Sequence, residues 1–283
     1  MRPARPAPAA RCPPSEFARR SATAAIAIPL ALVATYAGGA PFAMLIVMSA
    51  ALVVVEWTRL TAPAARDGAV FLPLAALAAG VAAFALAGAQ IAVATLLAAC
   101  AASAACARRA GLAPMWTAAG AAYAGLAALS LFVLRDSELG RAAVLWLLAV
   151  VWSCDTAAFV FGRLIGGARL APRVSPAKTW AGAIAALAGA ALAGAAAAML
   201  LPATSPAALA AVGTGVGIAA ILGDLAESWI KRRFGAKNAG DLFPGHGGMM
   251  DRVDSLVLAS GAAALIGAAR AGTESAGAGL LVW

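Results

Sequence analysis

Nine stretches of this chain are almost wholly apolar, and each is long enough to cross a lipid bilayer. They run near 21–37, 41–58, 70–88, 91–107, 115–134, 142–161, 180–201, 206–223 and 253–270. A helix rises about 1.5 Å per residue and the hydrocarbon core is about 30 Å thick, so about 20 apolar residues span it. Inside lipid the backbone must satisfy its own hydrogen bonds, which leaves helices as the form for runs of this length. The expected fold class is all-α: a polytopic integral membrane protein with about nine transmembrane helices and no soluble domain. The turns within 21–58 and 70–107 are very short, so these two pairs of runs define the weakest boundaries.

Composition agrees. Hydrophobic residues make up 63% of the chain and charged ones 12%, against about 25% charged in soluble domains. Alanine and glycine dominate, and small residues let helices approach closely in lipid. Cys12, Cys100, Cys106 and Cys154 form no CxxC pair, which argues against a disulfide framework or a zinc site. The net charge of +9 reads as loop charge facing anionic lipid rather than as a nucleic-acid surface.

The loops alternate in charge. Positive residues occupy the N-terminal arm (Arg2, Arg5, Arg11, Arg19, Arg20) and the loops bearing Arg59 and Arg66, then Arg108 and Arg109. They also crowd 162–179 and 224–252, whereas the turns at 38–40, 88–90 and 202–205 carry none. The positive-inside rule then puts the N-terminus and both late loops in the cytoplasm and the C-terminus outside. Residues 1–20 read as a disordered cytoplasmic arm. Arg19-Arg20 before an apolar run resembles an export signal, and an uncleaved first helix is the better reading because the rest of the chain also spans. Transmembrane helices fill 21–150, a polar-loop region with helices follows over 151–271, and 272–283 is a short tail.

Polar groups cluster late. All three lysines (Lys178, Lys231, Lys237), the single histidine (His246) and six of twelve carboxylates lie between 155 and 254. A transporter would more often show isolated charges in mid-helix, so the polar site belongs at the cytoplasmic membrane surface. Asp155 sits in an apolar run, where a charge costs about 2.5–3.5 kcal/mol and implies a partner or a task; capping a neighbouring helix would serve equally. Ser175 is a plausible helix N-cap with Pro176 at the first helical position, and Lys178 and Thr179 beside a helix start suit a phosphate. Asp224 and Ser228, and Glu227 and Lys231, are spaced four apart and share helix faces. Gly247 and Gly248 let the backbone wrap a ligand. Asp251 and Asp254, three apart beside a basic, glycine-rich loop, suggest a divalent cation on a polyphosphate.

These residues resemble the phosphatidate cytidylyltransferases, also called CDP-diacylglycerol synthases. The resemblance rests on Ser228-Trp-Ile-Lys231-Arg232, then Lys237-Asn238, then Pro244-Gly-His-Gly-Gly-Met-Met-Asp251-Arg252-Val-Asp254, with Gly223-Asp224 and Ser175-Pro-Ala-Lys178-Thr179 upstream. It is dense over 152–256 and general over 1–150, where Glu56-Trp57 and Tyr123-Ala-Gly-Leu are weak echoes. It departs at Asn238, where the family usually has Asp, and at Ala157 in place of Gly. Asn keeps an oxygen ligand and drops one charge.

The resemblance implies transfer of CMP from CTP to phosphatidate in the cell inner membrane, facing the cytoplasm, with 151–271 as the catalytic region. Asp224, Asp251, Lys178 and Lys237 would be catalytic, with Mg2+ on Asp224 and Asp251 and a second cation an open alternative. Substrate contacts would fall to Asp155, Ser175, Thr179, Ser228, Lys231, Arg232, Arg252 and Asp254, and to Gly247, Gly248 and His246, the last either on the nucleotide or structural. A homodimer is left open. The rivals are another CTP-using membrane enzyme, such as a polyprenol kinase or a CDP-archaeol-type synthase, and a non-catalytic lipid-binding or transport protein.

Overall fold

The computed structural model describes residues 14–63, 67–201, 204–240, 242 and 247–283; His246, Cys12 and the arm before residue 14 lie outside them. The helices are α1 (Pro14–Ala37), α2 (Gly39–Thr61), α3 (Phe71–Arg109), α4 (Pro114–Asp136), α5 (Gly140–Ile165), α6 (Trp180–Ala196), α7 (Pro206–Arg233), α8 (Met250–Ala271) and the short α9 (Ala276–Leu281). Seven of them are long and apolar enough to cross a membrane. The protein is an all-α polytopic membrane protein. Its one strand pair among the described residues is a hairpin, β1 (Arg169–Ala171) against β2 (Ser175–Thr179).

α3 carries two of the expected runs. Gly88 breaks it with φ 80° and ψ −177°, a conformation open to glycine alone. Ser103 Oγ donates to the Leu72 carbonyl at 3.1 Å, although 31 residues of straight helix would separate them by about 46 Å. The two arms therefore run out and back, and Gly80 packs on Leu96 across the turn.

Contacts sort the connections into two ends. At one, Ser137 Oγ accepts from Gly277 N at 2.7 Å, Glu138 N donates to Glu274 O at 3.2 Å, and Ser205 N donates to Trp283 O at 3.2 Å. At the other, Trp116 meets Trp57, Trp229 and Phe234 with ring centroids 4.8–6.1 Å apart, and the hairpin and residues 234–240 and 247–249 lie there too. α4 packs against α2, α3, α5 and α8. Its buried Gly120, Ala121, Ala124, Gly125 and Ala128 let Trp57 and Leu96 approach its backbone.

Three expectations from the sequence differ from the structure. α1 begins at Pro14, so residues 14–20 are helical rather than arm; proline's fixed φ suits a first helical position. Ser175 does not cap α6. Its segment pairs as β2, with Ala171 opposite Ser175 and Arg169 opposite Thr179, and the cap is Thr179, whose Oγ1 accepts from Gly182 N at 3.1 Å. α7 runs ten residues past the apolar run, to Arg233, because ion pairs satisfy its charged last turns. At 28 residues it is about 42 Å long and projects beyond a hydrocarbon core of about 30 Å. The C-terminal tail is ordered: Ala276, Leu280 and Leu281 of α9 are fully buried.

Candidate active site

Two ionic clusters form at the end of the bundle that carries the hairpin. The first borders a cavity of about 390 Å3 between α5, α6, α7 and α8. Asp155, Asp224 and Asp254 line it with Lys178 and Thr179, while Ala158, Phe159, Ala183, Ala186 and Ile221 supply apolar wall. Lys178, delivered by β2, lies 2.5 Å from Asp224 Oδ2 of α7, and both side chains stay partly open, at 24% and 31% exposure. Ser255 joins the other two carboxylates: its Oγ donates to Asp155 Oδ1 at 3.2 Å, and its N donates to Asp254 Oδ1 at 2.8 Å. Asp155 thus has a side-chain partner on α8, and it also faces the cavity.

The second cluster is closed. Lys231 Nζ lies 2.5 Å from Glu227 Oε2 and 2.6 Å from Asp251 Oδ1, with exposures of 12%, 0% and 9% for Lys231, Glu227 and Asp251. Asp251 Oδ2 also accepts from Ala239 N at 3.0 Å and Gly248 N at 2.8 Å. Gly247 has φ 79°, and a Cβ there would collide with that same carboxylate oxygen. Asp251 therefore fastens both described ends of the glycine-rich loop to α7.

The two carboxylates paired from sequence as metal ligands face different cations, Asp224 on Lys178 and Asp251 on Lys231. Among the described residues no three His, Cys, Asp or Glu side chains converge as a metal cage. Of the other expected site residues, Ser175 and Ser228 are half-buried, and Arg252, Asn238 and Lys237 are exposed. Arg232 donates to the Ala236 carbonyl at 3.0 Å.

A family model described as the cytidylyltransferase family matches residues 18–268. The chain belongs to this family. It is 49% identical over 154 residues to a phosphatidate cytidylyltransferase of Brucella suis, covering 54% of this chain and 57% of that protein. A relative of the same name from Pseudomonas aeruginosa is 37% identical over 131 residues, 46% of this chain and 48% of its own length. One from Rickettsia bellii is 33% identical over 136 residues, 45% and 58% respectively. The chain thus matches about half the length of these relatives.

The candidate site has members that motif reading left out. Glu227 was read only as the helix partner of Lys231; its complete burial was invisible. Tyr123 of α4 brings a buried hydroxyl, without a hydrogen-bond partner among the described residues, close to Asp254, Glu227, Asp224 and Asp251. Glu56 of α2, 5% exposed, accepts backbone hydrogen bonds at the start of α8. The signals available for them were the weak family echoes at Glu56-Trp57 and Tyr123-Ala-Gly-Leu, a carboxylate near the end of one apolar run and a tyrosine in the middle of another.

Proposed function

We propose that the protein transfers CMP from CTP to phosphatidate, giving CDP-diacylglycerol and pyrophosphate. The observation that carries this is the cavity: a polar floor of three carboxylates and a lysine under apolar walls, in a family of cytidylyltransferases. Such a site accepts a substrate with an ionic head and an apolar body. An oxygen of the phosphatidate phosphate bonds to the α-phosphorus of CTP in line, the bond from that phosphorus to the bridging α,β-oxygen breaks, and its electron pair leaves on pyrophosphate. The nucleophile is already an anion, so no protein group must remove a proton. The protein's task is positioning and charge neutralisation.

Lys178 offers its ammonium to phosphate oxygens once a cation relieves Asp224. The donor set suits Mg2+, which takes one or two carboxylates with water and substrate phosphates rather than an all-protein cage. Asp224 would hold the ion, and Asp155 and Asp254 add carboxylate oxygens around the cavity, whereas Asp251, expected from sequence as its second ligand, is engaged by Lys231 and two backbone amides. When bound, the ion neutralises triphosphate charge. The positive loops argue for a cytoplasmic orientation in the inner membrane; an Ala236→Cys thiol should then label from the cytoplasmic side.

Purified protein given labelled CTP, phosphatidate and Mg2+ is expected to form CDP-lipid and pyrophosphate one to one, and to stop when the cation is chelated. A lipid monophosphate product, or no Mg2+-dependent turnover, would overturn the proposal.

A further inference from the structure

Glu56 lies 193 residues before Met249 in the chain, yet its carboxylate meets the first turn of α8. Oε1 accepts from Met249 N and Oε2 from Met250 N, each at 2.8 Å. These are amides at a helix N-terminus, which have no partner within the helix and favour a negative charge. Gly240 and Gly248, from the two described ends of the loop, both back onto this carboxylate so closely that a Cβ on either would run into it. The very next residue in α8 is Asp251, which binds Lys231, Ala239 N and Gly248 N. Two carboxylates therefore hold the start of α8 and the described ends of the loop, one from α2 and one from α8 itself.

We propose that Glu56 is a positioning residue for the reaction, holding the start of α8 and the flanking Gly240 and Gly248 so that Asp251 and Lys231 stay in register with the cavity. This rests on the CTP-transfer reading above. A carboxylate is needed because both oxygens must accept. In Glu56→Gln the amide nitrogen cannot accept, so one backbone N–H loses its partner. The cost falls on the loop side of the site and spares the apolar wall that α5 and α6 give the cavity, where the lipid body would lie. A simple helix cap would lower stability and nothing else.

The test uses the full chain in detergent and has two readouts. Hydrogen exchange over 247–252 is expected to speed up at least about tenfold in Glu56→Gln, on the scale of a lost charge-assisted hydrogen bond. In the assay, kcat should fall about 10- to 100-fold, as misplacement of reacting groups does. KM for CTP should rise while KM for phosphatidate stays within about twofold, and Glu56→Asp should recover part of the loss. Unchanged exchange overturns the proposal. So do faster exchange with unchanged kinetics, or a parallel loss of both KM values and of melting temperature, which would make Glu56 a cap alone. Wild-type protein that forms no CDP-lipid overturns the catalytic reading and the positioning role with it. Wild-type turnover that Glu56→Gln matches overturns the positioning role alone.

Discussion

The two ionic clusters are built from the same residue types and behave as opposites. Lys178 and Asp224 meet across a cavity with about a quarter to a third of each side chain exposed. Lys231, Glu227 and Asp251 meet with almost none. A half-open pair costs little to separate, because water or a ligand can replace either partner. A buried set cannot be opened cheaply, because removing one member strands the others without compensation. The difference teaches that ion pairing alone does not mark the chemistry. The open pair is accessible from the cavity, and the closed set fixes α7, α8 and the described ends of the loop between them.

Substitutions can break this contrast or sharpen it. The largest effect should come from Lys231→Met, which leaves two buried carboxylates facing each other; about 3–5 kcal/mol of stability should go, read as a lower melting temperature in detergent. Asp224→Asn should melt near the wild-type temperature while turnover falls about 100-fold, the scale on which one charge-stabilising group acts. Tyr123→Phe removes a buried hydroxyl that has no hydrogen-bond partner among the described residues, so melting should stay normal, and a turnover loss of about tenfold is expected, the scale of one hydrogen bond given to substrate. Asn238→Asp should be the mildest, with turnover held or raised within about twofold, because the side chain is exposed. If Asp224→Asn unfolds the protein and Lys231→Met only slows it, the roles of the two clusters are reversed.

Much of the architecture follows from local pattern. The apolar runs give the helices, and the turn at 88–90 is visible because glycine sits where an uninterrupted helix would be too long for a bilayer. The Glu227–Lys231 pair follows from its spacing of four. What failed was non-local. Ser175-Pro176 reads as a helix start, and pairing with Arg169–Ala171 makes it a strand. The run ending at 223 hides ten more helical residues, because Asp224 and Glu227 find lysines on β2 and one turn ahead. Asp251 and Asp254 share a spacing but serve different clusters. Glu56 and Tyr123 come from a half of the chain with little motif resemblance, and only folding brings them within reach of Asp251.

The central claim is that Asp224 and the cavity around it receive the nucleotide and its cation. Ligand that binds the folded state raises its melting temperature, by the equivalent of about 2.7 kcal/mol at a hundredfold excess over Kd. The most direct measurement is the shift that CTP with Mg2+ produces in detergent-solubilised protein, wild type beside Asp224→Asn. A rise of several degrees in the wild type that is absent in Asp224→Asn is the predicted result. An equal rise in both would contradict it.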